Sequence, residues 1–275
     1  MLFGESHFVD VDGIKFHYVV AGEGPPLLLL HGLGASVITW RDNMGPLSQH
    51  FRVYAVDLPG HGDSDKPDID YSLETVAYYL GRLLDVMGLE RCSIVGNSVS
   101  GPLAIKLGRD IPDRIHKLVL VDSASLGREL SLYIRLVSIP FLGSILESSR
   151  VGGTKYMLKG VFYDEKFVVP DLLDELHRSR SMPGAKEAVI RPIRLGVNLL
   201  GVRKEFILDG QMKQLEAPLL IVWGANDVIF PVAHAYNALR EAPHAQLKVF
   251  PECGHWPHME KSEEFNQLVV EFLSK

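Results

Sequence analysis

A serine at position 98 stands between an apolar strand and the start of a helix, with small residues around it. Residues 93–101 read SIVGNSVSG, a β-branched run that passes into a helical pattern after Ser98. This arrangement is typical of a nucleophile elbow, a sharp turn that holds the serine hydroxyl clear of the sheet. Only small side chains fit where the strand and the helix close together, and Ser100 takes the place of the motif's second glycine. We therefore predict nucleophilic catalysis at Ser98.

A serine hydroxyl is a weak nucleophile, so a base must accept its proton. The chain has 11 histidines, and the reactive groups of an open parallel sheet gather at the carboxyl ends of its strands. His255 follows the last predicted strand, directly after Gly254, and is our predicted base. We assign His31 to the oxyanion loop, and His61 and His258 to polar loop structure. The others are predicted inside a strand or on helices and peripheral loops: His7, His17, His50, His116, His177, His234 and His244.

An acidic residue must orient that histidine. Asp227 comes just after a predicted strand and ahead of a helix, and the chain order Ser98, Asp227, His255 is the one expected for this elbow. Asp122 also ends a strand and remains the competing candidate. Asp57 is a third, but its loop reads as structural.

Two backbone N–H groups should bind the oxyanion of a tetrahedral intermediate. Val99 follows the nucleophile at the helix N-terminus, where the helix dipole adds to the attraction. The second donor is expected in the loop 31–34, HGLG, after a buried strand. We choose Leu33, because its flanking glycines let the backbone approach closely.

Strand and helix patterns alternate over most of the chain, which predicts a parallel sheet with helices on both faces. The run 27–30 is four leucines, as in a strand buried on both faces, and 72–87 is an amphipathic helix. From 125 the alternation stops for about 80 residues, with helical patterns and no convincing buried strand. We predict a core from 1–124 and 206–275, with a helical cap inserted at 125–205.

Composition excludes several classes of protein. The net charge is −6, and no basic run indicates a nucleic-acid partner. No apolar run is long enough to span a bilayer, and the N-terminus has no export pattern, so we expect a cytoplasmic protein without a membrane partner. Cys92 and Cys253 lack metal-ligand spacing, and we expect free, buried thiols. We predict no cofactor and no metal.

Five motifs occur in a fixed order, and together they carry a resemblance over essentially the whole chain. They are HGLG, DLPGHGDSD, GNSVSG, WGANDVIFP and CGHWPHME. On these motifs the chain resembles the α/β-hydrolase superfamily. The resemblance implies a mostly parallel, eight-stranded sheet, a Ser-His-Asp triad and a helical cap after the sixth strand.

Two further residues narrow the resemblance. Asn97 before the nucleophile and Trp256 after the histidine are similar to hydrolases that cleave carbon–carbon bonds in ring-fission products, and each has an alternative role. The alternative for Asn97 is that it holds the elbow turn, and the alternative for Trp256 is that it only packs. With His31 and Gly32 they form our predicted substrate-binding set. Those enzymes hold the dienoate with a cap arginine, and the candidates here are Arg178, Arg180, Arg191 and Arg194.

Other features favour ordinary ester chemistry. The oxyanion loop of the carbon–carbon hydrolases is closer to HGxGPG, whereas this chain has Ala35-Ser36 at its end. We predict a carboxylesterase for small, largely apolar esters, with the carbon–carbon hydrolase as the alternative. The Val99-Ser100 pair also resembles weakly hydrolytic, ligand-sensing regulators, a second alternative. The expected partner is a small ester or related carbonyl compound, and homo-oligomerisation is left open.

Overall fold

The computed structural model describes residues 4–147, 151–208 and 210–275. Eight strands form one sheet in the order β1-β2-β4-β3-β5-β6-β9-β10. Across the sheet, β2 pairs antiparallel with β1 and β4, and every other neighbouring pair is parallel. The predicted mostly parallel, eight-stranded sheet is therefore confirmed. The strands are β1 (Glu5–Val11), β2 (Ile14–Ala21), β3 (Pro26–Leu30), β4 (Arg52–Val56), β5 (Cys92–Asn97), β6 (Ile115–Val121), β7 (Val197–Asn198), β8 (Gly201–Val202), β9 (Leu219–Gly224) and β10 (Gln246–Phe250).

Helices cover both faces of this sheet, because alternate strand residues supply an apolar surface to each side. Leu27 and Leu29 of β3 pack in one cluster with residues of α1 and α11, whereas Leu28 and Leu30 pack in the other with α2, α3 and α9. All four leucines are fully buried, as predicted. The helices are α1 (Arg41–Ser48), α2 (Leu73–Val86), α3 (Ser100–Asp110), α4 (Leu132–Val137), α5 (Pro140–Leu146), α6 (Val151–Val161), α7 (Pro170–Arg180), α8 (Ala185–Gly196), α9 (Ala233–Glu241), α10 (Pro257–Glu260) and α11 (Ser262–Ser274).

Helices α4 to α8 make up the segment that the sequence predicted as a cap. A third apolar cluster joins this segment to the core: Leu158, Leu172 and Leu176 pack with Ala35 and Trp256. Because Ala35 and Trp256 follow the carboxyl ends of β3 and β10, the helices lie over the edge of the sheet where active groups were expected. The cap boundaries at 125 and 205 stay a prediction.

Some details of the sequence prediction were wrong. The inserted segment contains a short antiparallel ladder, in which β7 pairs with β8. Helix α8 ends at Gly196, and β7 begins at the next residue. Two residues per strand are too few to give an alternating pattern in the sequence. His7 and His116 lie in β1 and β6 rather than on helices or loops.

The prediction for the two cysteines is confirmed. Cys92 and Cys253 are both buried and free. Ser72 caps helix α2, with its hydroxyl accepting a hydrogen bond from Thr75 N. Within the described residues, every helix falls short of the length and apolar character that crossing a membrane requires.

Candidate active site

Ser98 occupies a strained turn between β5 and α3. Its φ is 57°, in the left-handed region that non-glycine residues rarely adopt. The backbone around it is fixed by hydrogen bonds from Ser98 N to Val121 O at 2.9 Å and from Ala124 N to Ser98 O at 3.0 Å. A Cβ at Gly96 would lie 2.5 Å from Ser100 O, so a larger residue would force the strand and the helix apart. This is the geometry that the elbow motif predicts.

His255 and Asp227 form a buried pair at the same edge of the sheet. His255 Nδ1 lies 2.8 Å from Asp227 Oδ2, and both residues are less than 10% exposed. The other oxygen, Asp227 Oδ1, accepts hydrogen bonds from Ile229 N at 2.7 Å and Phe230 N at 3.2 Å. The carboxylate is thereby held in one orientation toward the imidazole. Asp227, not Asp122, contacts the histidine.

Asn97 connects the elbow to the histidine loop. Its Nδ2 donates to Val121 O at 3.1 Å and to His255 O at 3.3 Å. The amide group therefore has a structural role that the sequence offered as an alternative to substrate binding. A contact between Asn97 and substrate stays a prediction.

The loop after β3 passes directly beside the nucleophile. A Cβ at Gly32 would lie 2.9 Å from Asn97 Oδ1 and 3.1 Å from Ser98 Cβ, so a larger residue would crowd the elbow. Leu33 follows it, and Val99 stands immediately before the first residue of α3. Both N–H groups belong to the segments that flank Ser98, and their oxyanion role stays a prediction.

His31 holds this loop in place. It is fully buried, its Nδ1 donates to Gly32 O at 2.7 Å, and its Nε2 accepts from Leu58 N at 3.1 Å. That pattern requires a neutral ring protonated at Nδ1. Burial lowers the pKa of His31, in agreement with the hydrogen bonds. His31 therefore holds the loop after β3 against the loop after β4.

Ser100 explains why the motif departs from glycine at this position. Its hydroxyl is buried and donates to His31 O at 2.5 Å. The bond joins the first residue of α3 to the end of β3, and thus the elbow to the oxyanion loop. Sequence reasoning treated this serine only as a tolerated small residue.

Substituting Ser100 by alanine should therefore lower turnover without unfolding the protein. A neutral buried hydrogen bond is worth about 1 kcal/mol, and the loop after β3 would lose it, so we expect kcat for an ester to fall roughly fivefold with KM little changed. Steady-state kinetics of Ser100→Ala against Ser48→Ala, a remote serine on α1, would measure this. Equal kcat values for the two variants would contradict the positioning role.

Two other buried histidines, His61 and His258, are neutral structural groups. Burial lowers the pKa of His61 and that of His258 to about 3 in each case. The His61 ring lies 5.2 Å from that of His31, and the His258 ring lies 4.3 Å from that of Trp40. His258 lies in α10 rather than in a loop.

Asp57 has a structural role, as its loop predicted. It accepts hydrogen bonds from Val37 N at 2.8 Å and Asp63 N at 2.9 Å, and it lies 2.6 Å from His17 Nδ1. Burial alone would raise the pKa of Asp57, but the His17 hydrogen bond and the nearby His31 lower it overall. Asp57 thereby joins three separate segments beneath the site.

Trp256 packs between the core and the cap. It is 2% exposed, and its ring meets that of Phe162 edge-on, with centroids 5.3 Å apart. The contact lies next to the catalytic-site candidate His255, whose backbone N donates to Val161 O in α6 at 2.7 Å. The cap therefore holds the histidine loop directly, and substrate contact by Trp256 stays a prediction.

Glu260 is a second link between the cap and the histidine loop, and sequence reasoning missed it. Its Oε1 accepts from Gly254 N at 2.7 Å, and its Oε2 accepts from Tyr163 N at 3.0 Å and Asp164 N at 3.2 Å. Burial raises the pKa of Glu260, and these N–H groups oppose that effect. Its one clue in the sequence is an acidic residue shortly after His255.

Removing the Glu260 carboxylate should destabilise the protein, because three backbone N–H groups would lose their acceptor. We expect Glu260→Ala to lower the free energy of unfolding by about 2–4 kcal/mol. Urea denaturation beside Glu216→Ala, an exposed glutamate, would measure the difference. A loss no larger than that of the control would show that the three bonds contribute nothing net.

Of the four candidate arginines, Arg180 is the one buried against the loop after β3. Its Nη1 donates to Gly34 O at 3.3 Å, and its Nη2 pairs with Glu147, which is also buried. The other three candidates are more exposed and bind elsewhere: Arg178 to Glu175 and Asp63, Arg191 to Asp68 and Ile69 O, and Arg194 to Pro140 O and Ser144.

The sheet topology, the strained serine and the His–Asp pair define a class of protein, and comparison with known proteins names it. A family model described as the alpha/beta hydrolase family matches residues 27–268. The chain belongs to the alpha/beta hydrolase family, and the prediction of a hydrolase is confirmed at that level.

Three similar proteins show how far the likeness extends. An uncharacterized protein of Mycobacterium tuberculosis is 32% identical, over 97% of this chain and 80% of its own length. A 2-hydroxy-6-oxo-6-phenylhexa-2,4-dienoate hydrolase of Comamonas testosteroni is 29% identical, over 96% of this chain and 93% of its own. The crystal structure of CumD, a meta-cleavage product hydrolase of Pseudomonas fluorescens, superimposes with a TM-score of 0.83 at 28% identity, covering 98% of each chain.

Proposed function

We propose that this chain is a serine hydrolase that transfers acyl groups to water through Ser98, His255 and Asp227. The observation that carries the proposal is the combination of a serine at φ 57° in an elbow with a buried His–Asp pair at 2.8 Å. Three groups at the ends of three different strands have the types and order that this chemistry needs.

Each residue then has a defined role. Ser98 Oγ attacks the carbonyl carbon while His255 Nε2 accepts its proton, and the same proton returns to the leaving group. Asp227 keeps the imidazole protonated at Nδ1 and stabilises its cation. The N–H groups of Leu33 and Val99 bind the oxyanion. Water, deprotonated by His255, hydrolyses the acyl-enzyme.

The substrates that we propose are small, largely apolar esters. Support comes from the apolar character of the cap residues packed next to the histidine loop, Leu158, Val161 and Phe162, all of them buried. The Arg180 cation is already neutralised by Glu147. A neutral ester would bind here without needing a free cation.

A second candidate is cleavage of a carbon–carbon bond in a 2-hydroxy-6-oxo-dienoate. Arg180 favours it, since its guanidinium lies at the oxyanion loop, where an anionic substrate could exchange with Glu147. Relatives at 28% and 29% identity, similar over nearly their whole length, bear the names of hydrolases for such compounds. The test must therefore include both substrate classes.

The experiment is a comparison of kcat/KM for purified protein on short-chain p-nitrophenyl esters and on a phenyl-substituted 2-hydroxy-6-oxo-dienoate. Faster ester turnover supports the esterase. A dienoate rate higher by orders of magnitude supports the carbon–carbon hydrolase and makes Arg180→Gln, with Arg178→Gln as control, the next pair to measure. Turnover on both below about one event per minute, against an enzyme median near ten per second, would favour a ligand-sensing regulator.

A further inference from the structure

Asp122 lies beside the His–Asp pair but takes no part in the proposed proton transfer. It is fully buried at the end of β6. One carboxylate oxygen of Asp122, one of Asp227 and one ring nitrogen of His255 all lie within 4.8 Å of one another. Two carboxylates this close in a buried site do not both ionise without a large cost, so the pair should hold one proton.

The hydrogen-bond donors around the two aspartates show where that proton belongs. Asp227 accepts from Ile229 N, Phe230 N and His255 Nδ1, three donors that favour a negative charge. Asp122 Oδ1 accepts from Gly224 N at 3.0 Å, whereas its buried Oδ2 accepts no hydrogen bond from any residue that the structure describes. An ionised Asp122 would therefore bury an oxygen without a partner. A protonated Oδ2 would itself be the donor.

We infer that Asp122 is a neutral carboxylic acid whose Oδ2–H donates to the Asp227 carboxylate and so positions it for His255. The proton stays on Asp122 throughout and is not transferred. The role in turnover rests on the proposed function, whereas the protonation state does not. Asp122 is thus a positioning residue, and Asp227 remains the residue that contacts the imidazole.

The surroundings support the neutral state. Burial first, and the Asp227 charge second, raise the pKa of Asp122 well above its ordinary value of 3.8. The other titratable groups that face this region are Glu260, Cys253 and His255. Asp227 and Glu260 are acids and Cys253 is a thiol, so none of the three supplies a cation to compensate a second negative charge.

The first test is the pH dependence of stability for wild type and Asp122→Asn. Asparagine keeps the shape, accepts from Gly224 N and donates an N–H to Asp227. A group with a raised folded-state pKa stabilises the fold only at low pH, because unfolding above about pH 3.8 releases its proton. We expect the wild-type unfolding constant to rise, relative to the variant, about tenfold per pH unit above that value. Parallel pH curves would overturn the inference.

The second test reads the proton directly. Difference infrared spectroscopy at neutral pH, wild type minus Asp122→Asn, should contain the C=O stretch of a protonated carboxylic acid. Only carboxylate bands in the difference would overturn the inference. A bound divalent cation is the other way to neutralise two carboxylates. Elemental analysis that found one divalent cation per chain would also overturn the inference. These measurements require no enzymatic activity, so they test the protonation state of Asp122 even if the proposed function is wrong.

Kinetics test the positioning role. We expect Asp122→Asn to retain kcat within about threefold, with an unchanged acid limb of the pH–rate profile, because the donor is kept. Asp122→Ala loses the donor and should lower kcat roughly tenfold at similar KM. If kcat of Asp122→Asn instead fell at least tenfold and the acid limb of its pH–rate profile shifted, the substitution would have removed an anion. The inference would then be wrong. Equal activity of all three proteins would also contradict it.

Discussion

Ser98→Ala should lose ester hydrolysis by about 10⁴-fold or more in kcat, because the acyl-enzyme cannot form without the hydroxyl. The fold should persist, since the left-handed backbone of residue 98 is fixed by hydrogen bonds of main-chain atoms. Stopped-flow or long-time-course assays with a p-nitrophenyl ester would measure the residual rate. Circular dichroism and the urea midpoint confirm folding of the variant.

Ser48→Ala is the matched control for the loss of a hydroxyl, because that serine lies on α1, away from the elbow. It should retain the full rate. A Ser98→Ala protein that kept more than a tenth of the wild-type rate would contradict nucleophilic catalysis at this residue. The hydrolysis would then have to come from another group or from direct attack by water.

Asp227→Asn should lower kcat by about 10⁴-fold, an effect nearly as large. An amide N–H facing His255 Nδ1 would make that nitrogen an acceptor, so the proton would move to Nε2. The ring could then no longer accept a proton from Ser98. The measurement is kcat for the ester across pH 5 to 9, roughly the range over which histidine catalysts titrate.

Asp122→Asn is the control for this second prediction, since it makes the same chemical change 4.8 Å or less from the same imidazole. We expect the large loss only at Asp227. If Asp122→Asn were the inactive variant and Asp227→Asn retained turnover, the assignment of the acid would have to be reversed.

The sequence predicted the parts of this site that depend on local order along the chain. Ser98, Asp227 and His255 each follow a strand, and parallel strands bring their carboxyl ends to one edge. The alternation of strand and helix patterns from β3 to β6 likewise predicted a buried parallel sheet. The sequence could not decide between Asp122 and Asp227 as the acid, since both follow the carboxyl end of a strand. Their difference depends on which carboxylate the histidine ring faces.

Contacts between distant segments were beyond sequence reasoning. Ser100 bonds to His31, and Glu260 bonds to Tyr163, just after α6 in the cap. These pairs are separated by 69 and 97 positions. No periodic pattern marks such pairs. The same holds for Arg180, whose burial against Gly34 sets it apart from three other cap arginines of identical type.

Asn97 and Trp256 illustrate a limit of motif resemblance. Both were selected for likeness to residues that bind substrate, and both are occupied by contacts that hold the histidine loop. A side chain used for packing in one protein can line a pocket in another with little change in sequence. Substrate binding by Asn97 and Trp256 therefore stays a prediction, as do the substrate class and the cytoplasmic location.

The central claim, that Ser98 is the nucleophile, is tested most directly by covalent labelling. The protein would be treated with a fluorophosphonate, a reagent that phosphonylates activated serines, and the modified peptide mapped by mass spectrometry. We expect one adduct per chain, located on Ser98, and a loss of hydrolysis in proportion to labelling. The Asp227→Asn variant should not be labelled on the same timescale. An adduct on another residue, or full activity after complete labelling of Ser98, would contradict it.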